Sequence, residues 1–214
     1  MRTLRQGASG SDVLEVQSVL KKIGLDPGAV DGVYGEQTQK AVAEFQKQFG
    51  LTPDGIIGPQ TWQVLEHFLL GYDFYIIRPG DTFYSIAQKY GTDPAAVAVA
   101  NPRENPDSLV VGSRIVIPYS FDVVPTDVSF TYEILMHSIE GLKKRYPFLR
   151  VGNIGASVLG KALYSLRLGT GPNQVFYNAA HHALEWITSP LLMKFAEEYL
   201  KAYAFGQKIG EYDS

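Results

Sequence analysis

Near the end of the chain, two residues set three positions apart could serve a metal ion. His182 and Glu185 lie in the run Val175-Phe176-Tyr177-Asn178-Ala179-Ala180-His181-His182-Ala183-Leu184-Glu185-Trp186. Imidazole nitrogen and carboxylate oxygen are both zinc donors, and a catalytic zinc takes three protein ligands and keeps one position for water. Such a water becomes acidic enough to attack an amide near neutral pH, while the metal polarises the carbonyl. A bare His-x-x-Glu arises by chance in many chains, so its weight depends on the surrounding elements. The apolar run before His182 reads as a buried strand, and a strand-to-turn junction can aim two side chains at one point.

The bulk composition sets the frame for those elements. At 214 residues the chain is long enough for two or three small domains. Apolar residues make up 45% and charged residues 19%, which suits folded modules with real cores. Lys and Arg total 19 against 22 Asp and Glu, a net charge of -3 that argues against nucleic acid or an anionic membrane as partner. With no cysteine, disulfides and cysteine-ligated metals are excluded. Residues Met1 to Gly7 lack the apolar core of a signal peptide, and no stretch approaches membrane-spanning length. A soluble chain is expected, with its oligomeric state open.

An internal repeat organises residues 1–70. Asp31-Gly32-Val33-Tyr34-Gly35 returns 23 positions later as Asp54-Gly55-Ile56-Ile57-Gly58. Each copy is a glycine turn that Asp can open, and a helical apolar pattern follows each. Phe45 and Phe49 lie on the first of these faces, and Trp62, Leu65 and Phe68 on the second, behind Pro59. Before both, Ser11 or Asp12 can cap a helix carrying Val13, Val16 and Leu20. A three-helix bundle follows. The run Gly7-x-x-Gly10-x-Asp12-Val13-x-x-x-Gln17-x-x-Leu20, the two Asp-Gly turns and Phe45-Gln46 resemble the peptidoglycan-binding domain of bacterial wall hydrolases. The resemblance implies wall attachment, with Tyr34 and Trp62 as candidate contacts.

Residues 73–119 read as strand, helix, helix, strand. Phe74 to Ile77 and Arg114 to Ile117 are the strands, while Thr82 and Asp93 cap the helices and Pro94 takes N1 of the second. With Tyr75-x-Ile77-x-x-Gly80-Asp81-Thr82-Phe83-x-x-Ile86-Ala87 and Asn101-Pro102…Leu109-x-x-Gly112-x-x-Ile115-x-Ile117-Pro118, this βααβ order resembles a LysM domain. The family grips N-acetylglucosamine glycans between two loops, which implies Gly80, Asp81, Thr82, Phe83, Asn105 and Leu109 as the binding residues here. The linkers, Gly71-Tyr72-Asp73 and Tyr119 to Pro125, are too short and insufficiently Gly/Ser-rich to swing freely.

Residues 126–214 read as helix (Tyr132 to Tyr146), three strand-like runs (149–157, 163–169 and 175–180) and a last helix (190–205), a partial α/β domain with a mixed sheet. On that helix Leu191, Phe195, Tyr199, Leu200 and Tyr203 are expected to face inward. Tyr132-Glu133-Ile134, Tyr146-Pro147, Ile154-Gly155-x-Ser157-x-x-Gly160-Lys161-x-Leu163 and His182-Ala183-Leu184-Glu185-Trp186-Ile187 resemble the first part of a carboxypeptidase-A-like zinc peptidase. The resemblance implies that His182 and Glu185 are the first two ligands of one Zn2+. It also implies a third histidine ligand and a catalytic glutamate further downstream. The other histidines, His67, His137 and His181, are poorly placed for the ligand, and Glu197, Glu198, Glu211 and Asp213 suit a solvated helix face and tail. No catalytic residue is therefore assigned within the chain, which is expected to be the N-terminal portion of a larger peptidase. Leu184 stands where many carboxypeptidases have a substrate-binding Arg, which weakens a simple exopeptidase specificity.

Together the modules resemble bacterial γ-D-glutamyl-diamino acid endopeptidases. That implies wall glycan strands and stem peptides as partners, zinc as cofactor, and a cytoplasmic, spore-associated or wall-associated location. The rival expectation is a non-catalytic peptidoglycan- or chitin-type glycan-binding protein carrying an incomplete peptidase remnant.

Overall fold

In the computed structural model, residues 2–172, 174–182, 184–209 and 212–213 are described. Helices α1 (Ser11–Lys22), α2 (Glu36–Gln48) and α3 (Pro59–Leu70) form the first module. Each presents an apolar face to one core, in which Val16, Leu20, Phe45, Ile57 and Leu65 are fully buried. Burying side chains of this size stabilises by about 1.5–3 kcal/mol each. Leu4 closes the bundle by exchanging two backbone hydrogen bonds with Ile57 (3.1 and 2.9 Å). Neither Ser11 nor Asp12 caps α1; Gly10 is the N-cap, and Asp12 instead pairs with Arg2 at 2.6 Å, a bidentate contact that a guanidinium offers more strongly than a cap.

The two Asp-Gly turns are built alike, around a buried glutamine each. Gln17 Nε2 donates to Val33 O (3.0 Å) and Thr38 Oγ1 (3.1 Å), while its Oε1 accepts from Gly32 N (2.8 Å). In the second copy Gln46 Nε2 donates to Ile56 O (2.9 Å) and Thr61 Oγ1 (3.1 Å), and Oε1 accepts from Gly55 N (2.8 Å). Asp31 and Asp54 each accept from the amide two residues on, at 2.8 and 2.9 Å. At φ +69°, a Cβ on Gly55 would lie 2.6 Å from Gln39 Cγ, so this turn requires glycine.

Gly71, left-handed at φ 73°, ends α3, and strand β1 (Tyr72–Ile76) starts at the next residue. The expected linker at 71–73 is thus mostly strand. After β1 come α4 (Phe83–Tyr90), α5 (Pro94–Ala100) and β2 (Arg114–Pro118), with β1 and β2 antiparallel from Tyr72↔Pro118 to Ile76↔Arg114. Thr82 and Ser85 form a reciprocal capping box on α4, and Asp93 caps α5. Asn101 ties α5 to β2: its amide donates to Val97 O and Val116 O, both at 2.7 Å, and its Oδ1 accepts from Val116 N at 2.8 Å.

The remainder comprises α6 (Tyr132–Arg145), β3 (Arg150–Ala156), β4 (Ala162–Arg167), α7 (Thr188–Phe205) and the two-residue strands β5 (Lys208–Ile209) and β6 (Tyr212–Asp213). Helices flank strands as the sequence indicates, and the pairing among described residues is antiparallel: β3 with β4, β5 with β6. The run 175–180 is not a strand. Among the described residues no ladder forms beside it, and Val175, Phe176 and Tyr177 are exposed; an apolar run becomes a strand only where a neighbour satisfies its backbone. On α7 the inward side is Met193, Ala196, Glu197 and Leu200, whereas Leu191, Phe195 and Tyr203 face outward; of the expected face Leu200 is buried and Tyr199 half-buried. Contacts gather the residues into two units, 1–71 with 125–138, and 72–124 with 139–214.

Candidate functional site

The His182–Glu185 turn is held by Thr188 at the start of α7. Thr188 Oγ1 accepts from Ala180 N at 2.7 Å and donates to Glu185 O at 2.7 Å, while Glu185 N donates to His182 O at 3.1 Å. Ala180, at φ 52°, supplies the sharp entry that an L residue adopts only under such constraint. These bonds bring the two candidate donors together: His182 Nδ1 lies 3.0 Å from Glu185 Oε1, and His182 N donates to Oε2 at 3.4 Å. Hydrogen bonding from His182, through side chain and backbone, holds the Glu185 carboxyl below its ordinary range. Both side chains are open to solvent, His182 at 75% and Glu185 at 47% exposure. The His181 ring stands edge-on to that of His182, centroids 5.1 Å apart.

This donor set fits two-thirds of a catalytic zinc site. Among the described residues no group of three or more His, Cys, Asp or Glu converges. A catalytic zinc needs a third protein ligand to fix its geometry and retain an open position. As they stand, His182 and Glu185 bond to each other, which a metal would have to displace.

In the second module, the two expected binding loops reach the same core cluster. Phe83, next in sequence to Gly80, Asp81 and Thr82, is buried in it, and Leu109 packs against it from the other loop. Asp81 Oδ2 accepts from Arg78 N at 2.7 Å and Asn105 Oδ1 from Asp107 N at 3.1 Å, so both side chains shape their loops. Gly80, Thr82 and Asn105 are exposed, and Ile76, Tyr84, Val110 and Val111 add exposed apolar surface. Phe83, unlike these, is buried.

Tyr34 and Trp62 are corrected by their burial. Tyr34 is 1% exposed with its hydroxyl donating to Gly55 O at 2.9 Å, and Trp62 Nε1 donates to Arg2 O at 2.7 Å from inside the core. Their polar tips are used internally, so neither presents a surface to the wall.

Glu197 is a positioning residue that the sequence reading placed on a solvated face. It is 2% exposed, and its carboxylate accepts from Val123 N (2.6 Å), Val124 N (3.2 Å) and Lys194 Nζ (3.0 Å). Burial works against the Lys194 ammonium, yet hydrogen bonds to Asp122 and Glu198 and the charge of Glu197 outweigh it and raise its pKa. The cluster fastens residues 122–124, just after β2, to the helix that begins at the His182–Glu185 turn. The available signal was register: Glu197 sits in the stripe of Met193, Ala196 and Leu200.

Family comparisons match each region in turn. The peptidoglycan binding domain family matches residues 9–65, the LysM domain family 75–118, and the zinc carboxypeptidase family 135–212. Each of the three families matches one region of the chain, and none spans half of it. Among relatives, Gamma-D-glutamyl-L-diamino acid endopeptidase 1 of Lysinibacillus sphaericus is 39% identical over 74 residues, covering 35% of this chain and 19% of that protein. Spore cortex-lytic enzyme of Bacillus subtilis (strain 168) is 37% identical over 114 residues, covering 50% of this chain and 37% of that protein. The crystal structure of SleB N-terminal domain is 48% identical, covering 30% of this chain and 88% of that one, with a TM-score of 0.29. The chain thus spans well under half the length of these two curated relatives.

Proposed function

We propose that this chain belongs to a peptidoglycan hydrolase in which two wall-binding modules deliver a zinc peptidase to stem peptides, cutting between γ-D-Glu and the diamino acid. The observation that carries the reading is the 3.0 Å pairing of His182 with Glu185 inside a zinc carboxypeptidase match, in a chain that also carries LysM and peptidoglycan-binding matches. The name of the Lysinibacillus sphaericus relative supports the choice of bond. In this reading His182 and Glu185 supply two of three zinc donors, and the third comes from outside the described residues. The LysM face, with Gly80, Asp81, Thr82, Asn105 and Leu109, holds the glycan strand over the Phe83 core. Wall or spore association follows from those partners; no described helix is long and apolar enough to cross a membrane.

A second reading, a non-catalytic wall-binding protein, is favoured by one observation: no three potential ligands converge among the described residues. Mass-spectrometric profiling of purified peptidoglycan incubated with zinc and the protein that carries all three donors separates the two. New N-terminal diaminopimelate or lysine, lost in His182→Ala, supports the hydrolase. An unchanged stem-peptide profile with the chain retained on the wall supports the binder.

A further inference from the structure

The first turns of α6 and the segment before it make two polar contacts that the wall-directed reading leaves unused. Lys21 Nζ donates to Asp127 Oδ2 at 2.8 Å, and His137 Nδ1 lies 2.9 Å from Glu15 Oε1. Both partners belong to α1, and all four residues lie in one unit. Glu15 is on the inward stretch of α1 with its side chain 7% exposed, and that of His137 is 24% exposed. A carboxylate removed from water to this degree needs a partner, and a charged one serves it best. Ile134 and Ser138, on either side of His137, are buried, and Thr131 starts the helix by accepting from Ile134 N (3.3 Å) and Leu135 N (3.0 Å). The segment is therefore seated on the first module by a half-buried histidine pair.

We propose that residues 125–138 form a pH-sensitive clasp on the first module, closed by protonated His137 on Glu15 and loosened when His137 loses its proton. The groups facing His137 are Glu15 from α1, Glu66 from α3 and Glu133 from its own helix, all acidic. The Glu15 hydrogen bond is the strongest influence, burial opposes it, and the net effect raises the imidazole above its ordinary 6.5. A raised folded pKa means that the clasp's added stability is complete below the unfolded value and disappears as pH rises through the folded one. Lys21–Asp127 is exposed on both sides, so it responds to salt.

Amide hydrogen exchange on the whole chain, at about pH 5.5 and about pH 8.5 and corrected for intrinsic rates, brackets the histidine range. A proton titration of His137 by NMR accompanies it, with the other histidines for reference. Protection over 131–138 should fall at the higher pH, about tenfold for each unit by which the folded pKa is raised, while α2 stays unchanged. His137→Gln and Glu15→Gln should each abolish that dependence, and Lys21→Ala should lower protection equally at both pH values. The same pH dependence in His137→Gln, or His137 titrating at or below about 6.5 in the unaltered chain, would overturn the proposal; the titration needs no variant to fold.

Discussion

Removing the Gln46 amide should open the second Asp-Gly turn and destabilise the first module more than any exposed polar change. In Gln46→Ala, Gly55 N loses its acceptor at 2.8 Å, and Ile56 O and Thr61 Oγ1 lose donors at 2.9 and 3.1 Å. Gln46 is 2% exposed, so water replaces these partners only if the turn opens. An unsatisfied buried group costs about 1–3 kcal/mol, and a second lost bond adds about 1 kcal/mol, giving roughly 2–4 kcal/mol in total. For a module of this size each kcal/mol lowers Tm by about 4–8 °C, so a fall of at least about 8 °C is expected. The chain has two tryptophans, of which Trp62 is buried in the first module and Trp186 is exposed. In a Trp186→Phe background, Trp62 emission reports the unfolding of that module alone. Gln17→Ala, which strips the equivalent bonds from the first turn, should match it. A Tm change below about 2 °C in Gln46→Ala, less than 1 kcal/mol on the same scale, would refute the claim that these glutamines lock the turns.

Glu197→Ala leaves two buried amides and Lys194 without their shared acceptor; at about 3 kcal/mol the Val123 and Val124 amides should exchange about a hundredfold faster, and unaltered rates would remove Glu197 from its positioning role. Zinc titration of the chain should give weak binding, lost in His182→Ala, because two exposed donors replace the usual three; tight stoichiometric zinc would demand a third donor. On acidification the first module should weaken: backbone hydrogen bonds first, then Gln17 and Gln46, lower the Asp31 and Asp54 pKa values. Their contribution, present above the ordinary carboxylate value, is lost as pH falls through the depressed one, and Asp31→Asn should flatten the acid limb of a Trp62-monitored curve.

The local structure was legible wherever it depended on turn chemistry and periodicity. The Asp31-Gly32 and Asp54-Gly55 turns, the Thr82 and Asp93 caps and the βααβ order all follow from residue types acting on their own backbone. The misreadings arose where tertiary partners decide. Gln17 and Gln46 were visible as motif letters, but an amide on a helix reads as solvated until the loop that wraps it is known. Tyr34 and Trp62 were wall-contact candidates through the resemblance of their module, whereas each has an internal partner for its polar tip. The 175–180 run has strand composition without a strand neighbour among the described residues. At the His182–Glu185 turn, the pairing of the two side chains was readable from spacing, but the role of Thr188 was not, since it works through the backbone groups of Ala180 and Glu185.

The central claim, that the modules ahead of the His182–Glu185 turn carry this chain to peptidoglycan, is tested most directly by sedimentation with insoluble peptidoglycan. The chain and its His182→Ala variant should both pellet with the wall, and soluble N-acetylglucosamine oligomers should release a fraction of each by competing for the LysM loops. A chain that stays in the supernatant, or whose retention depends on His182, would contradict the account.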